Sequence, residues 1–130
     1  MAARFLGLLA AAFVLVSSPA RAGEKPFSSG ALYYDATVTI TTQCYIANNG
    51  KKPVTLSSPQ ILNFVGPSGP ATSDDCTTAP LPPGEVCGFS GSAGVYGGGL
   101  IFVKGSTKGL RGRCSFKNPS NVEVTFSDMF

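Results

Sequence analysis

Reactive side chains are sparse in this sequence. The thiols are Cys44, Cys76, Cys87 and Cys114, the carboxylates are Glu24, Asp35, Asp74, Asp75, Glu85, Glu123 and Asp128, and histidine is absent. Without an imidazole there is no Ser-His-Asp or Cys-His relay, no histidine metal centre and no side chain that changes charge near neutrality. Four cysteines in a small chain with an export-type leader read as two disulfides, which leaves no thiolate nucleophile. No Cys-x-x-Cys pair occurs, so the thioredoxin-type motif and the common zinc spacing are both missing. Ser-x-x-Lys is missing as well. A glycosidase needs two carboxylates facing each other across a cleft, and no spacing here proposes such a pair. Asp74-Asp75 offers too few oxygens for a calcium cage and reads as a solvated loop tip. No catalytic residue, metal site or cofactor is expected.

Two patterns could carry binding. The stretch Gly91-Ser-Ala-Gly94-Val-Tyr-Gly97-Gly98-Gly99 matches neither Gly-x-Gly-x-x-Gly nor the Walker spacing, and no helix follows to present its N-terminus to a phosphate. It reads as a mobile hairpin or an irregular edge. Lys104, Lys108, Arg111, Arg113 and Lys117 form the second pattern. Strand alternation places Arg111, Arg113 and Lys117 on one exposed face with the turn lysines nearby. That makes a candidate anion-binding stripe for an anionic glycan, a lipid headgroup or an acidic envelope protein. The plainer reading is a solvated outer face that guards an edge strand, and a near-neutral chain argues for it and against nucleic acid. Tyr33, Tyr34, Tyr45 and Tyr96 read as ordinary packing and strand-forming residues.

The elements that must position these residues begin after a leader. Arg4, an apolar run over residues 5–16 and Ala20-Arg21-Ala22 have the form of a signal peptide over residues 1–22. The apolar run is too short to cross a bilayer, and no later segment is longer. Residues 23–130 then make one domain. Losing Arg4 and Arg21 takes the formal charge from +3 to +1. The destination is periplasmic or extracellular, and Asn118-Pro119-Ser120 is no glycosylation acceptor because proline occupies its middle position.

Within that domain residues 23–30 read as a loose lead-in. Residues 36–47 alternate with period two, with Val38, Ile40, Cys44 and Ile46 on one face and Thr37, Thr39, Thr41 and Tyr45 on the other, and predict a half-buried strand. Asn48-Asn49-Gly50 marks a turn with Lys51 and Lys52 at its tip. Residues 53–65 hold strand material broken at Pro59, and residues 66–80 form a long loop in need of support. The segment 76–87, with three prolines and a Pro-Gly turn, reads as a rigid connection between two sheets. A short strand is expected over 85–90. A hairpin is expected from 100–104 to 110–117 around residues 105–109. In the last strand Val122, Val124 and Phe126 share one face. Apolar residues never recur at helical spacing beyond the leader, so the fold class is all-β, an antiparallel immunoglobulin-like β-sandwich stapled by two disulfides.

The cysteines allow three connectivities. Cys44–Cys114 with Cys76–Cys87 is preferred, because the first two lie on inward faces and the second two close a short loop. In the chain-entropy model the short loop contributes roughly 3 kcal/mol and the long one roughly 4 kcal/mol. The other two arrangements stay open. The motifs Cys44-Tyr-Ile-Ala-Asn48-Asn-Gly50, Leu81-Pro-Pro-Gly84-Glu-Val-Cys87 and Leu110-Arg111-Gly112 resemble small exported bacterial proteins with an immunoglobulin-like or fibronectin-III-like sandwich. Those families are largely uncharacterised or act as binding and surface modules, so the resemblance implies no catalytic residue. The expected function is a non-enzymatic exported binding or envelope-associated module. Its alternatives are a structural subunit of a surface assembly that adds strand 122–126 to a neighbour, and an enzyme inhibitor that uses the 76–87 loop as a plug.

Overall fold

The computed structural model describes residues 23–34, 40–64, 66–93 and 96–130. The expected signal peptide and the first residues of the 36–47 strand lie outside them. Among the described residues there is no helix, and ten strands form two antiparallel five-stranded sheets. In the first sheet β8 (Tyr96–Lys104) is central, with β4 (Thr55–Asn63) and the short β5 (Gly69–Pro70) on one side. On its other side lie β1 (Glu24–Ser28) and β2 (Leu32–Tyr33). The second sheet runs β10 (Glu123–Met129), β9 (Leu110–Lys117), β3 (Ile40–Asn48), β7 (Val86–Ala93), β6 (Ser73–Asp74). This is the expected antiparallel sandwich, and it is compatible with an immunoglobulin-like one.

Period-two alternation makes β3 what it is. Ile40, Thr42, Cys44, Ile46 and Asn48 are buried while Thr41 and Tyr45 face solvent. The disulfides pair as preferred, Cys44–Cys114 and Cys76–Cys87. Cys44 and Cys114 stand directly opposite each other on β3 and β9, with Cα atoms 4.0 Å apart. The bridge therefore staples one sheet from within, unlike the inter-sheet bridge of antibody domains. What it meets in the first sheet is Gly99. A Cβ on Gly99 would overlap Cys44 Sγ and lie 2.6 Å from Cys114 Sγ.

That contact corrects the reading of the glycine-dense stretch. Gly97, Gly98 and Gly99 are neither a mobile hairpin nor an edge but buried residues near the start of β8, an inner strand of its sheet. The disulfide occupies the space over Gly99, and a Cβ on Gly97 would strike the Leu62 carbonyl oxygen. Glycine is required there for close approach, and a glycine run erases the in/out alternation by which strands are recognised.

Connections differ from expectation for the same long-range reason. No hairpin joins β8 to β9, because β8 pairs with β1, β2 and β4 while β9 pairs with β3 and β10. Residues 105–109 instead cross between sheets, as residues 49–54 do. Residues 23–30 are not a loose lead-in. β1 pairs with β8 along its whole length and buries Phe27, and Pro26 is tolerated because, among the described residues, no strand pairs with it on the side away from β8. Ser28 and Phe130 exchange backbone hydrogen bonds of 3.2 and 2.9 Å, tying the first sheet to the end of β10. On the opposite side the chain from β5 to β6 passes from the edge of β4 to the edge of β7. This is the support that the long 66–80 loop needed.

Pro59 does not break β4. A register shift between Ser57 and Gln60, with Ser58 at φ 51°, absorbs it as a bulge. A second shift, between Glu123 and Thr125, turns β10 so that Val124 packs on the core and Phe126 faces out. The expected common face of Val122, Val124 and Phe126 is therefore not kept. The 76–87 segment begins and ends at the second sheet, between β6 and β7, rather than linking the two sheets. Leu81 nevertheless reaches across, exchanging backbone hydrogen bonds with Val54. Gly84, at φ 80°, and the Glu85 N–H donating to the Pro82 carbonyl complete a type II turn. Buried Asn48 knits this end together. Its Nδ2 donates to the Lys52 and Leu81 carbonyls at 2.9 Å each, and its Oδ1 accepts from the Gly50 N–H.

Two substitutions test this packing by urea denaturation. Gly99→Ala should lose about 3 kcal/mol, because the rigid disulfide cannot yield to the new methyl. Gly69→Ala, where a Cβ meets nothing within 4 Å, should cost far less. Thr42 Oγ1 is buried without a hydrogen-bond partner among the described residues. Thr42→Val should therefore gain about 1 kcal/mol, and an unchanged midpoint would show that the hydroxyl is satisfied in solution.

Candidate contact face

The outward residues of β10, β9, β3 and β7 form rows across the second sheet. Asp128, Arg113, Tyr45 and Gly88 make one row, and Phe126, Ser115, Gln43 and Ser90 make the next. Tyr45 lies against Gly88, where a Cβ would stand 3.2 Å from two ring carbons. Arg113 stacks over the Phe126 ring at 4.1 Å and approaches Asp128 at 3.7 Å, while the Lys117 ammonium sits 5.9 Å from the Tyr45 ring. Ser115 lies between these pairs and is 3% exposed although it faces outward.

Beside this ridge lies a shallow trough of about 380 Å³ over β7, lined by Gln43, Tyr45, Val86, Gly88 and Ser90 and rimmed by Asp74 and Asp75. Asp74 is not a solvated loop tip but a half-buried residue of β6, whereas Asp75 is exposed as expected and yet hydrogen-bonded. Asp74 Oδ1 accepts from the Cys76 N–H at 2.7 Å, its Oδ2 accepts from the Thr77 hydroxyl, and Asp75 Oδ1 accepts from the Gly88 N–H at 2.6 Å. The carboxylates hold the disulfide loop against β7. Asp75 lies close to the sulfurs of Cys76 and Cys87, but bridged sulfurs offer no thiolate to a metal ion.

The five candidate anion-binding residues separate into two groups. Arg111, Arg113 and Lys117 share the outer face of β9, as alternation predicts. Arg113 there is already engaged by an aromatic ring and a carboxylate. Lys104 ends β8 in the other sheet, and Lys108 belongs to the 105–109 crossover. Alternation put Tyr45 outward correctly but not Phe126, whose position depends on the β10 bulge. A further aromatic set went unrecognised. On the outer face of the first sheet Tyr96 makes edge-on contacts with Tyr33 and Phe64, at centroid distances of 6.1 and 5.3 Å. Tyr33 closes β2, Phe64 follows β4 and Tyr96 opens β8, and the pairing that aligns them is not local.

Comparison with protein-family models, curated proteins and solved structures finds no match to this chain.

A double-mutant cycle measures how firmly the ridge is set. Arg113→Ala and Phe126→Ala should couple by about 0.5–1 kcal/mol, whereas Arg113→Ala with Asp128→Ala should couple by less, since exposed ion pairs contribute little. A larger Asp128 coupling would reverse that ranking.

Proposed function

We propose that this protein is a non-enzymatic exported sandwich, periplasmic or secreted, that works by contact with an envelope or extracellular partner through the outer face of its second sheet. The observation that carries this reading is the pairing of exposed Tyr45 and Phe126, 44% and 53% accessible, with Lys117 and Arg113. Aromatic and arginine side chains dominate binding energy at protein interfaces, and rings already held in place lose little freedom on contact. Two disulfides fit an oxidising compartment.

A second reading, a structural subunit that grows by strand addition, is favoured by one observation. β10 is the outermost strand of its sheet, and exposed Val122 immediately precedes it. Affinity capture from envelope and culture-supernatant fractions separates the two. A partner retained by the native protein should be lost or weakened at least about tenfold by Tyr45→Ser with Phe126→Ser, the effect expected of truncated interface anchors. Equal capture by both proteins would defeat the first reading. Ladders in size-exclusion chromatography would favour the second, and a clean monomer would count against it.

A further inference from the structure

Lys104 and Lys108, displaced from the β9 stripe, lie at the end of the sandwich where residues 49–53 and 104–109 meet. Between these two crossovers is a groove of about 350 Å³, lined in part by Lys51, Lys52, Pro53, Val54, Lys104 and Leu110. None of its lining residues is acidic. Outside the lining, Glu24 is the cross-strand neighbour of Lys104 and accepts a hydrogen bond from the Ser57 hydroxyl at 3.1 Å. A chain of nearly neutral net charge thus brings three lysines, Lys51, Lys52 and Lys104, to one groove, and Lys108 follows on the same crossover.

The loops carrying them are fixed. The Asn49 N–H donates to the Gly109 carbonyl at 2.8 Å, and Gly109 approaches Gly50 so closely that a Cβ would stand 2.6 Å from the Gly50 Cα. Asn48 Nδ2 holds the Lys52 carbonyl from below. Lys51 and Lys52 therefore project from a backbone whose position is set before any ligand arrives, which lowers the entropy cost of binding. The groove falls within the size of small-ligand sites. Its charge complement is an anion, and its lysine stems and Pro53 give that anion an apolar surround. Separate ammonium groups on two loops suit several anions in a plane better than one buried ion, since each lysine adds a modest increment at a charged surface.

We propose that this groove receives the phosphate-bearing headgroup of an anionic lipid, so that the protein rests end-on at a membrane surface. The contact uses a different surface from the second-sheet face and stands whether or not that face has a partner.

Cosedimentation with vesicles of mixed phosphatidylglycerol and phosphatidylcholine tests it, with pure phosphatidylcholine as the neutral reference. The native protein should bind the anionic vesicles, and binding should weaken as salt rises. The variant Lys51→Gln/Lys52→Gln/Lys104→Gln/Lys108→Gln should lose about tenfold or more in affinity. The comparison variant Arg111→Gln/Arg113→Gln/Lys117→Gln removes three cations from the other face and should lose no more than about twofold to threefold. All seven positions lie at the surface or half-buried, and thermal melts of both variants check that the fold is kept. Equal losses in the two variants would reduce the effect to general charge and overturn the site. Absence of binding to anionic vesicles at low salt would overturn it too. Chemical-shift changes at Lys51 and Lys104 with glycerol phosphate, but no vesicle binding, would replace the membrane with a soluble phosphate ligand.

Discussion

The Cys44–Cys114 bridge resting on the backbone of Gly99 is the constraint around which the sandwich is built. Two sulfurs on one sheet occupy the space that a side chain on the other would need. The sheets can come together there only because β8 is glycine at that position, and Phe89 adds its ring beside the sulfurs. Mutual dependence follows. The bridge lies within one sheet, so it fixes the registry of β3 against β9 directly and the distance between sheets through the contact with Gly99. A protein of this size gains from such a contact, because small cores leave little margin.

From that centre the two ends and two sides of the sandwich are closed by different means. Backbone exchange between Ser28 and Phe130 closes one side, and the β5–β6 passage closes the other. At the loop end Asn48 substitutes side-chain hydrogen bonds for the ladder that stops there, linking the 49–54 crossover to Leu81. The Cys76–Cys87 loop is anchored by Asp74 and Asp75 as much as by sulfur. Acidic residues that look available for ligands are spent on turn geometry, and the molecule's open chemistry is confined to its surface.

That surface is partitioned. The outer face of the second sheet pairs cations with aromatic rings, so its positive charge is largely internally engaged. The loop end collects lysines without acidic neighbours in the groove. One chain of low net charge thereby presents two kinds of contact surface, one aromatic and flat, the other cationic and concave. A net charge taken over the whole sequence averages these away, which explains why the count of charges alone spoke only for a solvated face.

How much could be read beforehand varied residue by residue. The alternation in β3 and β9 identified Cys44 and Cys114 as inward, and short-loop closure identified Cys76 with Cys87. Export-type cysteine use and the absence of helical periodicity were likewise plain in the residues. Gly97 to Gly99 carried no such mark, because a strand without side chains has no alternation to read. Pro59 and Phe126 misled, because each sits at a bulge, and a bulge shifts parity by one residue without a distinctive residue type. Composition and local period thus determined the class of fold, the inward cysteines and the outward Tyr45, Arg111, Arg113 and Lys117. Tertiary structure alone decided that β8 and β9 lie in different sheets, that Phe126 turns outward, and that Lys104 lines one groove with Lys51 and Lys52. The physical reason is that alternation tells each residue only inside from outside along its own strand, whereas neighbours across strands and sheets are selected by pairings between segments far apart in the chain.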